Sequence, residues 1–237
     1  MAGAGGITVC LEILGAAVRM IGRILGFVCV WAASPALAHP HVFIDTGIEV
    51  VFDEQGRASA LRISWTYDEY FSLVIAEERG IDPDYDGNAT DVEARPLAGF
   101  DMAWDAGYPG DTYAVMADVA LKISGPKDWT ARYSEGKITT THLRTFDTPV
   151  EIKTVPLQVQ VYDTTLYTGY YIVGEPVLTG APSECKIAVE LPDRAAADQI
   201  LQAAIDKLPI SADVENEFPA VGKVFAEEVR VTCDAAS

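Results

Sequence analysis

The chain has 237 residues, a formal net charge of −18 and 22% charged residues. This acidity argues against a nucleic-acid partner, because proteins that bind a phosphate backbone need a positive surface. The length is sufficient for one elaborated domain with a substantial buried core.

The N-terminal region has the features of a secretory signal peptide. Arg19 and Arg23 flank the start of an apolar run over residues 24–33, and Ala36 and Ala38 form an A-x-A cleavage site. A membrane-spanning helix needs about 20 apolar residues, so this run is too short for a retained anchor. We therefore predict export to the periplasm.

Cleavage at this site defines a signal peptide of residues 1–38 and a single mature domain of residues 39–237. His39 then becomes the first residue of the mature protein. We expect no direct membrane insertion after cleavage. Met20 would begin a leader of ordinary length, so the first methionine and Met20 are both possible starts.

Two alternating patterns follow the leader. Apolar and polar residues alternate over residues 41–53 and again over 58–67, with a turn at 54–56 between them. This pattern predicts two half-buried strands joined as a β-hairpin. His41 and Asp45 fall on the polar face of the first strand.

The paired histidines are candidate transition-metal ligands. His39 and His41 are two residues apart in an extended segment, so their imidazoles point to one side. Imidazole binds Zn, Ni, Cu and Fe. Asp45 lies further along the same face, and His142, in a later predicted strand, could complete the ligand set. The alternative is that the histidines are ordinary surface or packed residues.

The spacing of apolar residues becomes helical over residues 68–80, and an acidic loop follows. Residues 82–93 match the EF-hand calcium-loop pattern D-x-[DN]-x-[DN]-G-x5-E. This pattern places oxygen ligands at fixed positions around a sharp turn. The predicted calcium ligands are Asp82, Asp84, Asp86, Asn88, Thr90 and Glu93.

Two features weaken the EF-hand character of this loop. Ala89 stands where a larger apolar residue usually packs on a partner loop, and Pro96 interrupts the exiting helix. The sequence has no second such loop, so we expect a weak structural Ca²⁺ site, with a Kd of about 10⁻⁴–10⁻³ M. The alternative is an acidic surface turn. We predict that residues 68–105 form a helical, EF-hand-like insertion, with a short helix near 97–104.

The remaining sequence predicts mostly β-structure, because short alternating segments are separated by turns rich in Gly and Pro. A helix over 192–208 and a short helix precede a final strand at 228–233. The fold class is therefore α+β, with a predominantly antiparallel, sandwich-like or barrel-like core. The other predicted strands are 113–123, 129–133, 137–146, 155–162, 167–173 and 185–190.

Cysteine usage agrees with export. Cys10 and Cys29 leave with the leader, and Cys185 and Cys233 remain as an even pair in an oxidising compartment. Each of the two lies beside an alternating apolar run, so we predict a disulfide between neighbouring strands. A thiol–metal site is the alternative.

Several segments of the mature chain occur together in a known family. They are His39-Pro40-His41-Val42-Phe43-Ile44-Asp45, Phe52-Asp53, Trp65-Thr66-Tyr67-Asp68-Glu69-Tyr70-Phe71-Ser72, Val161-Tyr162-Asp163 with Tyr167, Cys185, and Phe225-Ala226-Glu227-Glu228-Val229-Arg230-Val231-Thr232-Cys233.

In these segments the chain resembles uncharacterised bacterial periplasmic proteins described as the periplasmic component of an unknown ABC-type transport system. Members often carry an Asp-rich insertion at the place of residues 82–93, and their genes commonly neighbour nickel/cobalt transporters. The resemblance implies a role in transition-metal handling, with an inner-membrane metal transporter as partner.

We therefore expect a periplasmic metal-binding accessory protein of a nickel/cobalt/zinc-type transporter, with Ca²⁺ in the acidic loop and Ni²⁺, Co²⁺, Zn²⁺ or Cu at the histidines. We do not expect an enzyme, since no nucleophile signature such as G-x-S-x-G is present. One alternative is a secreted copper-binding protein or copper enzyme that uses His39 in an N-terminal histidine brace. Another is a structural partner-binding protein.

Overall fold

Two β-sheets share one hydrophobic core in this computed structural model. The structure describes residues 40–209, 211–213 and 217–233, which all belong to one compact unit, His39–Ser237. The predicted leader and His39 lie outside the described residues.

The strands, in chain order, are β1 (Val42–Phe52), β2 (Ala58–Tyr67), β3 (Thr112–Met116), β4 (Val119–Ala120), β5 (Lys127–Ser134), β6 (Lys137–Val150), β7 (Leu157–Val161), β8 (Thr168–Ile172), β9 (Val177–Thr179), β10 (Cys185–Glu190) and β11 (Glu228–Cys233). The helices are α1 (Glu69–Arg79) and α2 (Arg194–Ile205), and 3₁₀ turns occur at Arg95–Leu97 and Gly222–Phe225.

The two sheets have open strand orders, so the fold is sandwich-like. The first sheet has the order β5-β6-β2-β1-β8, with β9 also paired to β1. Strands β8 and β9 run parallel to β1, and the other pairs in this sheet are antiparallel. The second sheet has the order β10-β11-β7-β3-β4 and is antiparallel throughout. The predicted α+β class is confirmed.

Alternation in β1 and β2 explains why they form the centre of the first sheet. Ile48 pairs with Ile63, and Val50 pairs with Leu61, and all four are almost fully buried. Burying an aliphatic side chain of this size contributes about 1.5–3 kcal/mol. The inner face of the first sheet, which carries these residues, therefore packs on the second sheet.

Helix α1 begins and ends where the sequence predicts. Asp68 is the N-cap, and one of its carboxylate oxygens accepts a hydrogen bond from the Phe71 amide at 2.9 Å. Its other oxygen accepts from the Phe43 amide at 2.8 Å, so the same side chain also fixes β1. Gly80 ends the helix with a φ of 65°, a left-handed conformation that glycine adopts without a Cβ clash.

Two local predictions are wrong, and one short strand was not predicted. The segment 97–104 contains no helix beyond the 3₁₀ turn, because Pro96 removes a donor and Gly99 has a φ of 69°. The strand predicted over 113–123 breaks at Ala117 and Asp118, both with positive φ, into β3 and β4. Strand β9 was not predicted, since three residues are too few for a pattern.

The predicted disulfide is confirmed. Cys185 and Cys233 face each other in the register of β10 and β11, with Cα atoms 3.9 Å apart, and their sulfurs are bonded. The bond closes a chain segment with a sequence separation of 48 residues. It therefore ties the edge strand β10 to the C-terminal strand.

Removing this disulfide should lower the free energy of unfolding by about 4 kcal/mol, because the unfolded chain regains the entropy of a closed loop of this length. The change is Cys185→Ala with Cys233→Ala, measured by urea denaturation. Wild-type protein unfolded in the presence of reductant should match the double variant. A loss below about 1 kcal/mol would contradict this account.

Candidate functional site

The described part of the N-terminal segment lies on the outer side of the first sheet. His41 precedes β1 and is exposed, and its ring lies 4.8 Å from that of Tyr167. Its amide donates to the Tyr167 carbonyl at 2.8 Å, which aligns the segment with β8. Asp45 is exposed on the outer face of β1. The sequence places His39 two residues before His41, beyond the described range.

His142 is not part of this group, which corrects the predicted four-residue ligand set. It pairs with Ile63 in the register of β6 and β2, so its side chain lies on the inner face with no solvent exposure. His41 and Asp45 are on the exposed outer side. A sheet separates the two positions, so His142 cannot share a small ion with them.

The environment of His142 is aromatic. Its ring contacts Trp65 and Trp104 edge-on, at centroid distances of 4.7 and 5.4 Å. Neither ring nitrogen has a hydrogen-bond partner among the described residues. Burial, assisted by the nearby Arg144 charge, lowers the pKa of His142 to about 3. His142 is therefore a neutral packed residue at pH 7.

The acidic loop, residues 82–93, brings three of its six predicted ligands together. Carboxylate oxygens of Asp82, Asp84 and Asp86 lie within 4.8 Å of one another. Asp82 is only 6% exposed, and its two oxygens accept from the Asp86 and Gly87 amides at 2.9 and 3.0 Å. The nearby Asp86 charge raises the pKa of Asp84, as expected for acids that share a small volume.

The other predicted ligands are engaged differently. One Glu93 carboxylate oxygen accepts from both the amide and the hydroxyl of Thr90, at 2.8 and 2.7 Å, which lowers the pKa of Glu93. The amide oxygen of Asn88 accepts from the Ser134 hydroxyl at 3.1 Å. Glu93 therefore caps the end of the loop and does not join the three aspartates.

The end of β5 and the turn that follows it contact the acidic loop where a paired EF-hand would place its partner loop. The Ala89 amide donates to the Tyr133 carbonyl at 3.2 Å, and the Gly136 amide donates to the Gly87 carbonyl at 2.8 Å. Backbone pairing of this kind fixes the middle of the acidic loop on the first sheet. Ala89, which seemed too small for a packing role, therefore contributes through its backbone.

A second site, which sequence analysis missed, lies at the inner face of the first sheet. This aromatic pocket has a volume of 280 Å³ and lies between β1, β2, β8 and the loop that follows α1. Its principal lining residues are Trp65, Tyr67, Trp104, Tyr108, Tyr170, Asp101 and Asp111.

Each carboxylate of the aromatic pocket accepts hydrogen bonds from two hydroxyl groups. Asp101 accepts from Tyr67 at 2.7 Å and from the Thr140 hydroxyl at 2.7 Å. Asp111 accepts from Tyr108 at 2.7 Å and from Tyr170 at 2.9 Å. Burial raises the pKa of both carboxyl groups, and the hydroxyl donors only partly offset this effect.

The backbone beneath Asp111 is adapted to this arrangement. Asp111 has a φ of 48°, in the left-handed region that costs a non-glycine residue about 1 kcal/mol or more. A Cβ at the preceding Gly110 would collide with the Trp104 ring. Small size at Gly110 thus lets Trp104 and Asp111 both face the pocket.

Comparison with known proteins places the chain in a family. Residues 24–233 match the sequence profile of DUF1007, described as a protein of unknown function. The chain belongs to the DUF1007 family. No curated protein matches the chain.

Among solved structures, this DUF1007 protein is similar to Capitella teleta AChBP in complex with lobeline. The two share 10% sequence identity, 96% of this chain and 97% of that chain are covered, and the TM-score is 0.35. This likeness is too distant to carry an argument. Within the described ranges, we find no helix that combines the length and apolar character of a membrane span.

In this DUF1007 protein, His142 should make stability fall in mild acid. Unfolded histidine takes up a proton below its ordinary pKa of 6.5, whereas folded His142 stays neutral down to about pH 3. Protonation therefore favours the unfolded state between these values. Between about pH 6 and pH 4, this residue should make the unfolding free energy of wild type fall by about 1 kcal/mol for each pH unit. The His142→Leu variant should lack this contribution.

Urea denaturation at several pH values measures this effect. His41→Leu, which removes an exposed imidazole instead of the buried one, is the matched control. Parallel profiles for wild type and His142→Leu would show that His142 does not titrate on unfolding.

Proposed function

We propose that this DUF1007 protein is a periplasmic metal-binding accessory protein that holds Ca²⁺ in the acidic loop. The observation that supports it best is the convergence of Asp82, Asp84 and Asp86 within 4.8 Å in a loop with EF-hand spacing. Three carboxylates this close repel one another, and a divalent cation with oxygen ligands relieves that repulsion.

The residues present fit calcium better than a transition metal at this place. The loop offers oxygen atoms only, and Ca²⁺ takes six to eight oxygen ligands in flexible geometry. Glu93, now bonded to Thr90, would supply two more oxygens by a change of side-chain rotamer. Calcium would then join the two ends of the loop and stabilise its contact with the β5–β6 turn.

The transition-metal role rests on different residues. His39, His41 and Asp45 are the proposed ligands, and His142 is left out because it lies on the inner face. The proposed partner is an inner-membrane nickel/cobalt/zinc-type transporter, and the support is the resemblance to periplasmic proteins whose genes neighbour such transporters. We propose a binding role rather than an enzymatic one.

Metal titrations of protein purified from the periplasm test both sites with one pair of variants. Asp82→Asn with Asp84→Asn should abolish Ca²⁺ binding and leave Ni²⁺ and Cu²⁺ binding unchanged. His39→Ala with His41→Ala should weaken Ni²⁺, Co²⁺, Zn²⁺ and Cu²⁺ binding at least tenfold and leave Ca²⁺ binding unchanged. Each double variant is thus the control for the other, measured by calorimetry.

Thermal unfolding gives the corresponding stability readout. At a Ca²⁺ concentration ten times the Kd, wild type should gain about 1.4 kcal/mol, and the aspartate variant should gain nothing. Asp91→Asn, in the same loop but outside the ligand positions, should behave as wild type. Equal Ca²⁺ effects in wild type and the aspartate double variant would exclude the calcium site.

The copper alternative is distinguished by the N-terminus. An extra alanine before His39 moves the free amine away from its imidazole and removes a histidine brace, but keeps both imidazoles. If only Cu²⁺ binding is lost, the copper-binding alternative replaces the nickel/cobalt/zinc proposal. Unchanged binding of all four transition metals by the His39→Ala/His41→Ala variant would contradict both.

A further inference from the structure

The aromatic pocket contains two buried acidic groups that form no ion pair among the described residues. Asp111 is 9% exposed, and Asp101 has one carboxylate oxygen that is fully buried and accepts no hydrogen bond among the described residues. The ion pairs found within the described ranges include neither residue. A buried carboxylate that lacks a cation is costly, so the ionised pocket favours a positive ligand.

The walls of the pocket favour an organic cation. Trp65 and Trp104 have ring centroids 6.2 Å apart, and Tyr170 lies 5.8 Å from Trp65. Aromatic faces attract ammonium groups, most strongly where water is excluded. Three tyrosine hydroxyl groups and one threonine hydroxyl also hold the two carboxylates in place at the pocket.

We propose that the aromatic pocket binds a small organic ammonium ion, with Asp101 and Asp111 as its counter-charges. A bare metal ion suits the cavity poorly, because 280 Å³ is far larger than an ion and the rings offer no ligand atoms. Arg144 lies over the Trp104 ring and lines an adjoining cavity of 650 Å³. The Arg79 charge acts on Asp101, but neither arginine forms an ion pair with a pocket acid within the described ranges.

The two counter-charges are held by tyrosines from two different strands. Tyr67 on β2 and Tyr170 on β8 both pair with Ile44 on β1, so they lie on opposite sides of one strand. Strands in a sheet are about 4.8 Å apart, which puts the two tyrosine backbones about 10 Å apart. Asp101 binds the first tyrosine and Asp111 binds the second. A short diamine carries two ammonium groups, one for each of the two acids.

The test is a titration with 1,4-diaminobutane, followed by tryptophan fluorescence, since two of the four tryptophans line the pocket. The neutral control ligand is 1,4-butanediol, which has the same length without charge. Wild type should bind the diamine at least tenfold more tightly than the diol. Asp101→Asn and Asp111→Asn should each weaken diamine binding at least tenfold, because asparagine keeps an acceptor oxygen but loses the charge.

Two further variants locate the bound amine. Asp105→Asn, an exposed acid in the same loop, should bind as wild type. The Asp82→Asn/Asp84→Asn variant should also bind as wild type, so the outcome is independent of the calcium proposal. Three results would overturn the proposal. They are equal binding of the diamine and the diol, no binding of the diamine at about 10 mM, and wild-type affinity for the diamine in both pocket variants. The wild-type comparison of the two ligands decides the matter even if a pocket variant fails to fold.

Discussion

The pairing of β2 with both of its neighbours is the constraint on which the rest of the structure depends. One register aligns β2 with β1 from Tyr67–Ile44 to Ala58–Phe52, and the other aligns it with β6. A shift of one residue in either register would turn every inward side chain outward. The first register places Tyr67 at the aromatic pocket, and the second places His142 beside Trp65.

Strand β6 carries the same constraint to the acidic loop. The acidic loop forms one backbone hydrogen bond with β5 and one with the β5–β6 turn, so the three aspartates are positioned by the sheet rather than by a second EF-hand. In the aromatic pocket, side chains rather than backbone groups make the contact. Tyrosine hydroxyl groups on β2 and β8 donate hydrogen bonds to acids of an irregular loop. In both places, carboxylates lie close to hydroxyl groups or to one another. None of them forms an ion pair among the described residues.

Sequence analysis predicts what local patterns encode. Alternation predicts β1 and β2, the helical spacing over residues 68–80 predicts α1, and the alternating runs beside the two cysteines predict the disulfide. It fails at His142 because the inward residues of β6 include Thr140 and Arg144, so hydrophobicity does not mark the buried face. The pocket is equally hidden. Its carboxylates lie in loops, and their tyrosine partners are 34 and 59 residues away along the chain.

The most direct test of the central claim is amide hydrogen exchange with and without millimolar Ca²⁺. The acidic loop docks on the β5–β6 turn, so bound calcium should slow exchange at Gly87, Ala89 and Gly136 and leave β10 and β11 unchanged. Slower exchange confined to the loop and this turn is the predicted result. Unchanged exchange at these three amides, at a Ca²⁺ concentration well above the expected Kd, would contradict a metal site held by the first sheet.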